Sequence, residues 1–322
     1  MTLGRRRPWP LVIQHARNSL TVRRSCSRFP SRLPRRNFDL PLPGGHILRL
    51  GERTLVMAII NVTPDSFSDG GLRGNPAVAV ADALRLVDEG ADLLDIGGES
   101  TRPGAEPLDV EEEWRRVGPV LKGLQGRTTV PISIDTYKAE IARRAIDTGA
   151  TIVNDISAFG YDPALAGVVA DTGVGAILMH NRGRSAAMYA RAQYADVVTE
   201  VRAELEDRVK VAVAAGVARS QLLVDPGFGF AKQPEHTMAM LAGLPALADF
   251  GCPIVSGPSR KSFLKSAIGE RPPEGRVWGT AAAVAVSIWL GAHIVRVHDV
   301  AAMVDVARVT DALVRSGERL NP

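Results

Sequence analysis

From residue 55 onward the sequence repeats one unit, a short apolar run followed by a longer amphipathic stretch. The predicted strands are Leu55–Ile60, Leu93–Ile96, Val130–Ile134, Thr151–Val153, Ala176–Met179, Leu222–Val224, Pro253–Val255 and Ile294–Val297. They are rich in Ile, Val and Leu with little polar alternation, as parallel strands covered on both faces must be. Between them lie helical patterns; in residues 76–89, Val80, Ala83, Leu84 and Val87 share one face. Boundary signals recur as well. Asn75-Pro76 and Asp162-Pro163 read as an N-cap followed by proline in the first helical position. Gly90, Gly149, Gly173, Gly216 and Gly291 fall where helices should stop. Eight strand–helix units in one chain predict an α/β fold of the (β/α)8 TIM-barrel type. The competitor, a doubly wound sheet, usually has five or six strands. Residues 39–54, with Pro41, Pro43, Gly44 and Gly45, lead into the barrel or form a small hairpin beneath it.

The ends of the predicted strands are polar. The first runs into Asn61 and the loop Asn61-Val62-Thr63-Pro64-Asp65-Ser66-Phe67-Ser68-Asp69-Gly70-Gly71, the second into Gly97-Gly98-Glu99-Ser100-Thr101-Arg102-Pro103-Gly104. The others end at Asp135, Asn154-Asp155, His180, Asp225, Ser256-Gly257-Pro258-Ser259-Arg260-Lys261 and Arg296 with His298 and Asp299. One such residue is commonly a turn or cap. Eight of them on a barrel converge on the mouth where these folds place their active sites. Asp135, Asn154 and Asp225 suit a flat heterocycle with several N–H donors. Arg260, Lys261, Arg296 and His298 follow the last two strands, where barrels often hold phosphate. For Arg296 the alternative is a salt bridge across the mouth. Lys261 could form a Schiff base, but it sits in a loop beside Arg260, which favours phosphate or heterocycle binding. No histidine set of zinc type and no Ser/His/Asp order stands out.

Charge separates a head from a body. Residues 1–38 hold ten arginines, no lysine and no acid, whereas residues 39–322 carry 29 Lys and Arg against 35 Asp and Glu. The division is therefore a disordered Arg-rich extension (1–38) and a barrel domain (39–322). Organelle-targeting peptides share the head's signature; a dispensable extension, or a start codon placed too far upstream, are the other readings. A mildly acidic body argues against a nucleic-acid partner. The longest apolar stretch, Ala281 to Val295, is broken by Ser287, Gly291 and His293, which argues against a membrane span. Two cysteines, Cys26 and Cys252, fit a reducing compartment, so a cytoplasmic location is expected.

The two long loop motifs closely resemble the mobile loops of the dihydropteroate synthase family. Further matches follow in order: Ser133-Ile134-Asp135-Thr136, Val153-Asn154-Asp155-Ile156-Ser157, Leu178-Met179-His180, Asp225-Pro226-Gly227-Phe228-Gly229-Phe230, Ser259-Arg260-Lys261-Ser262-Phe263 and Arg296-Val297-His298-Asp299. The resemblance spans about residues 38–315. It implies condensation of 6-hydroxymethyl-7,8-dihydropterin diphosphate with 4-aminobenzoate to 7,8-dihydropteroate and pyrophosphate, a folate-biosynthesis step. It also implies that Asp135, Asn154, Asp225 and Lys261 hold the pterin, with Met179 packing nearby. Asn61, Thr101, Arg296 and His298 would hold the diphosphate, with Mg²⁺ beside Asn61. Phe67, Thr101, Pro103 and Ser259 would line the aminobenzoate site. Asp135, Lys261, Asp69 and Arg102 are the implied catalytic set. Closure of the first loop, on its Gly70-Gly71 hinge, would exclude water from a pterin cation.

Three departures from the family pattern stand out. Ala158-Phe159-Gly160 and Ala231 occupy positions where the family often has glycine, and Asn181-Arg182 replace a commoner pair. The intact Thr101-Arg102-Pro103-Gly104 stretch predicts sulfonamide sensitivity. The family is commonly homodimeric through C-terminal helices, and Ala281–Leu290 and Val300–Val314 are apolar enough to supply that face. The rivals are another pterin-binding barrel, such as a methyltetrahydrofolate methyltransferase domain, and a catalytically silent paralogue.

Overall fold

The computed structural model describes residues 35–62, 75–101, 104–184 and 188–320. Its centre is a ring of eight parallel strands: β3 (Leu55–Asn61), β4 (Leu93–Gly97), β5 (Ile132–Asp135), β6 (Ile152–Asp155), β7 (Gly175–Met179), β8 (Leu222–Asp225), β9 (Val255–Ser256) and β10 (Ile294–Val297). Neighbours follow chain order around the ring, with the last strand, β10, pairing with both β9 and the first, β3. The ring closes through one parallel bridge, Val224 to Ile254, with the Val224 N–H donating to the Pro253 carbonyl at 3.0 Å. Around it lie α1 (Pro76–Asp88), α2 (Val110–Leu124), α3 (Ala139–Asp147), α4 (Ala164–Thr172), α5 (Val197–Ala214), α6 (Pro234–Ala242), the short turn α7 (Lys265–Ile268), α8 (Val277–Trp289) and α9 (Val300–Leu320). The chain is the (β/α)8 barrel that the repeats predict.

The helix-start signals cap their helices, although α4 begins at Ala164, one residue after the expected Pro163. Asn75 accepts from the Ala77 N–H at 3.0 Å with Pro76 opening α1. Asp162 caps twice: one carboxylate oxygen accepts from Ala164 at the start of α4, the other from Ala139 at the start of α3. All five predicted stop glycines have φ between 70° and 107°, where a Cβ would be strained.

Alternation along the strands sorts the core into two layers. Val56, Ala58, Leu94, Ile96, Val153, Ala176 and Leu178 pack outward against the helices. Leu55, Met57, Leu93, Ile152, Ile177, Leu223, Val255 and Ile294 fill the barrel's lower interior. Beneath them sits an antiparallel hairpin of β1 (Phe38–Leu42) and β2 (His46–Leu50), whose Leu40, Leu42 and Leu50 plug the floor. This apolar plug confines polar chemistry to the opposite end.

Two boundaries move. Several strands run one residue further than their apolar runs, so Asn61, Gly97, Asp135 and Asp225 are hydrogen-bonded rungs. Backbone pairing is indifferent to side-chain polarity, which is why the apolar pattern stopped short. The extension drawn to residue 38 also gives up its end: Arg35 pairs with buried Asp311, and the Arg36 carbonyl accepts from His293 Nε2. Residues 1–34 lie outside the described residues.

Candidate active site

At the upper end of the barrel, the next inward rungs above the apolar layer are Asp95, Asp135, Asn154, Met179, Asp225 and Arg296. Their parity follows from the lower layer, since Leu93 and Asp95, or Ile294 and Arg296, are two residues apart. Arg296 is the hub. Its Nε donates to Asp95 Oδ2 at 2.6 Å and its Nη2 to Asp135 Oδ2 at 2.7 Å. Asn154 Nδ2 donates to the same Asp95 oxygen at 3.0 Å. Gly97 permits this: a Cβ there would lie 3.3 Å from the Asp135 Cβ. Burial drives the Asp135 carboxyl up to about 7; Arg296 opposes this, and Asp95 adds to it. Asp95 is fully buried, and its Oδ1 and the Ser133 Oγ have no hydrogen-bond partner among the described residues. Asp95 escaped notice in the sequence because it lies inside an apolar run; the one available signal was its two-residue offset from Leu93.

Asp225 and Lys261 form the second half of the floor. Gly257 lies between them, where a Cβ would stand 3.8 Å from Asp225 Oδ2 and 4.0 Å from Lys261 Nζ. Burial raises the Asp225 carboxyl, with Lys261 and the Gly227 N–H opposing it. Burial lowers the Lys261 ammonium to about 8, against the pull of Asp225. Lys261 donates to the Phe228 carbonyl and sits 4.6 Å from the centre of the Phe230 ring. Phe230 joins Tyr137, Ile156, Tyr161 and Met179 in an apolar cluster. Phe230 was quoted in the sequence motif but given no role.

Not every polar strand end joins this set. Asp155 has the parity of outward Val153; it accepts from Ser157 and Phe159 and shapes its own turn. His180 likewise faces the helix layer, with Nε2 3.1 Å from Glu204 Oε2 on α5. The expected ring of eight polar ends is therefore corrected by the two-residue period. Arg260, grouped in the sequence with phosphate binders, is clamped by both oxygens of Asp299. Arg296 makes salt bridges across the mouth, to Asp95 and Asp135.

The remaining predicted residues divide as follows. Ser259 is buried; its Oγ lies 3.0 Å from His298 Nδ1 and accepts from the His298 N–H. Ser262, three residues on, lines a cavity of about 380 Å³ with Tyr189, Gly229, Lys232, Gln233, Pro234 and Phe263. Asn61 sits on the last rung of β3 beside Gly97. Thr101 is half-buried at the end of a loop anchored by Glu99, which accepts from Tyr137, Lys138 and the Leu108 N–H. Phe67, Asp69, Arg102 and Pro103 lie outside the described residues.

A model of pterin-binding enzymes matches residues 57–298. The dihydropteroate synthase of Synechocystis sp. is 45% identical over 279 residues, 86% of this chain and 96% of that one. The chain belongs to the dihydropteroate synthase family. Among solved members of the family, the Yersinia pestis dihydropteroate synthase with a sulfonamide drug complex has a TM-score of 0.81 and 40% identity, covering 87% of this chain and 100% of that one. The Xanthomonas albilineans dihydropteroate synthase in complex with 7,8-dihydropteroate gives 0.76 and 43%, covering 86% and 98%.

The departures from the family pattern acquire a physical meaning. Ala158, Phe159 and Ala231 have φ of 48°, 63° and 46°, the left-handed region that glycine occupies without strain. The Asp155 hydrogen bonds hold the first two in place. Arg182 is tied to Glu200 and Glu204 of α5 and lies 4.0 Å from the centre of the Tyr194 ring.

Proposed function

We propose that this chain condenses 6-hydroxymethyl-7,8-dihydropterin diphosphate with 4-aminobenzoate to give 7,8-dihydropteroate and pyrophosphate. The observation that carries the reading is the buried upper layer itself. Three carboxylates, one amide, one guanidinium and one ammonium share one barrel end in a member of this family. Asp95, Asn154 and Asp225 offer acceptors to the N–H edge of a pterin, and Met179 offers an apolar contact. Asp135, ionised above about 7, stabilises positive charge that develops on the pterin methylene as its C–O bond breaks. The electron pair leaves with pyrophosphate; the arylamine nitrogen then forms the new C–N bond and gives up a proton. Arg296, His298, Thr101 and Asn61 are assigned to the diphosphate, Ser259 and Thr101 to the aminobenzoate.

Among the described residues no group of three His, Cys, Asp or Glu could hold a metal. Asn61 offers one oxygen, a donor set that fits Mg²⁺ carried chiefly by substrate phosphate oxygens and water. When bound, the ion would neutralise charge on the leaving diphosphate.

We also assign a homodimer to the face made by α8 and α9. Trp278 on α8 is 79% exposed, and Val309 and Leu313, one turn apart on α9, are 62% and 60% exposed. Sedimentation of the wild type and Trp278→Lys tests this; two monomeric species would remove the assignment. No described helix is long and apolar enough to cross a membrane. Buried, unpaired Cys252 fits a cytoplasmic setting.

The deciding experiment is dihydropteroate formation from the two substrates and Mg²⁺, with Lys261→Ala as control. Turnover lost in the control is expected. Pterin diphosphate binding without turnover would move the assignment to a silent paralogue.

A further inference from the structure

Lys232 is 1% exposed and makes no ion pair among the described residues. Its Nζ has three neutral acceptors: His180 Nδ1 at 2.8 Å, the Phe230 carbonyl at 3.1 Å and the Gly227 carbonyl at 3.2 Å. Burial pulls the Lys232 ammonium well below its usual range, with Asp225 opposing; as ammonium or as amine, its donors are all taken by these three acceptors and none is left for a ligand. With Nδ1 accepting from Lys232, the hydrogen of His180 sits on Nε2 and is donated to Glu204. Glu204 is held in turn by Arg182, whose guanidinium stacks on Tyr194.

The segment that Lys232 grips is unusual in its backbone. Gly227, Gly229 and Ala231 alternate at φ of 66°, 75° and 46°. Gly227 runs so close to strand β7 that a Cβ would lie 2.0 Å from the His180 carbonyl oxygen. Side-chain donors reach each carbonyl from 227 to 231. Lys232 takes 227 and 230, Lys261 takes 228, Tyr189 takes 229 at 3.4 Å, and Tyr194 takes 231 at 2.9 Å. The same segment fixes Asp225 through the Gly227 N–H and presents the Phe230 ring to Lys261.

We propose that Lys232 is a positioning residue for the pterin subsite. From behind the loop it holds the Gly227 and Phe230 carbonyls and the His180 ring, and so sets Asp225 and Phe230 against Lys261. The inference rests on the pterin reading of the upper layer. Lys232→Met keeps the aliphatic stem and removes all three bonds; the Gly227 carbonyl keeps the Phe230 N–H at 3.0 Å, while the Phe230 carbonyl and the His180 ring nitrogen lose this donor in the interior.

The test uses the full chain. Circular dichroism and active-site titration first establish the folded fraction of Lys232→Met. Equilibrium binding of dihydropterin diphosphate and the KM of each substrate are then measured. The expected result is a rise of about tenfold in Kd and KM for the pterin diphosphate, with the 4-aminobenzoate KM within about twofold. A folded variant with unchanged pterin Kd overturns the proposal. So does a parallel change in both KM values, which a general loosening would produce. If Lys232→Met does not fold, Glu204→Gln carries the test, since it loosens the His180 end of the chain from a partly exposed position. An increase of about threefold in pterin Kd supports the proposal, and no change overturns it. Absence of wild-type turnover would count against the assigned reaction, whereas the binding measurements judge Lys232 independently of turnover.

Discussion

Arg296 and Asp95, 201 residues apart in the chain, meet at 2.6 Å in the upper barrel, and the carboxylate is fully buried. The same guanidinium also holds Asp135. Removing it would leave two carboxylates in the barrel without their cation. Arg296→Met is therefore expected to cost about 3–5 kcal/mol, read by urea unfolding at neutral pH. Arg296→Lys should recover part of that stability but not the two-carboxylate geometry, because an ammonium lacks the planar fork. Equal stability of wild type and Arg296→Met would refute the hub.

The paired shifts of Asp135 and Lys261 predict a narrow pH optimum. Asp135 acts as a carboxylate and ionises as pH rises through about 7; Lys261 acts as an ammonium and loses its proton as pH rises through about 8. The plot of log kcat/KM for the pterin substrate should therefore rise on the acid side and fall on the alkaline side of this window. Asp135→Asn should remove the acid limb along with most of the activity. Persistence of that limb in the variant would assign it elsewhere.

His293 sits at the barrel seam. Its Nδ1 accepts from the Ile254 N–H at 3.0 Å and its Nε2 donates to the Arg36 carbonyl. Burial holds the ring at about 4, below its ordinary 6.5. The unfolded chain binds a proton more readily than the folded one. The contribution of His293 is thus complete above about 6.5 and is lost progressively as pH falls toward 4. His293→Asn, which keeps an acceptor and a donor but no titration, should lose less stability than wild type over that interval. Denaturant midpoints at pH 7, 5.5 and 4.5 measure the difference; parallel curves would exclude the effect.

Ala231→Gly should stabilise the chain. The alanine has φ of 46°, and relief of left-handed strain exceeds the entropy glycine adds to the unfolded state, leaving about 0.5–1 kcal/mol. A lower urea midpoint for the variant would show that Ala231 is not strained.

Sulfonamides should inhibit competitively with 4-aminobenzoate, the outcome expected if Thr101 and the loop after β4 line the arylamine site. A replot of apparent KM against inhibitor concentration checks this. An unchanged KM with falling kcat would place the drug elsewhere.

The sequence by itself determined the architecture and the address of the site. Eight apolar runs, five glycine stops and the Asn75 and Asp162 caps are local features, and local backbone preferences are legible without a fold. So were the polar strand ends, because charge after an apolar run is visible in one dimension. Tertiary structure alone decided which of those ends face inward. Strands buried on both faces show no polar alternation, so only the closed barrel reveals that Asp95 shares the interior with Leu93 while Asp155 and His180 face the helices. It also decided the partners: Arg296 with Asp95 and Asp135, Arg260 with Asp299, and Lys232 with His180. The first depends on β10 pairing with β3, which brings the two ends of the barrel sequence to within hydrogen-bond range, and the other two join loops that follow neighbouring strands.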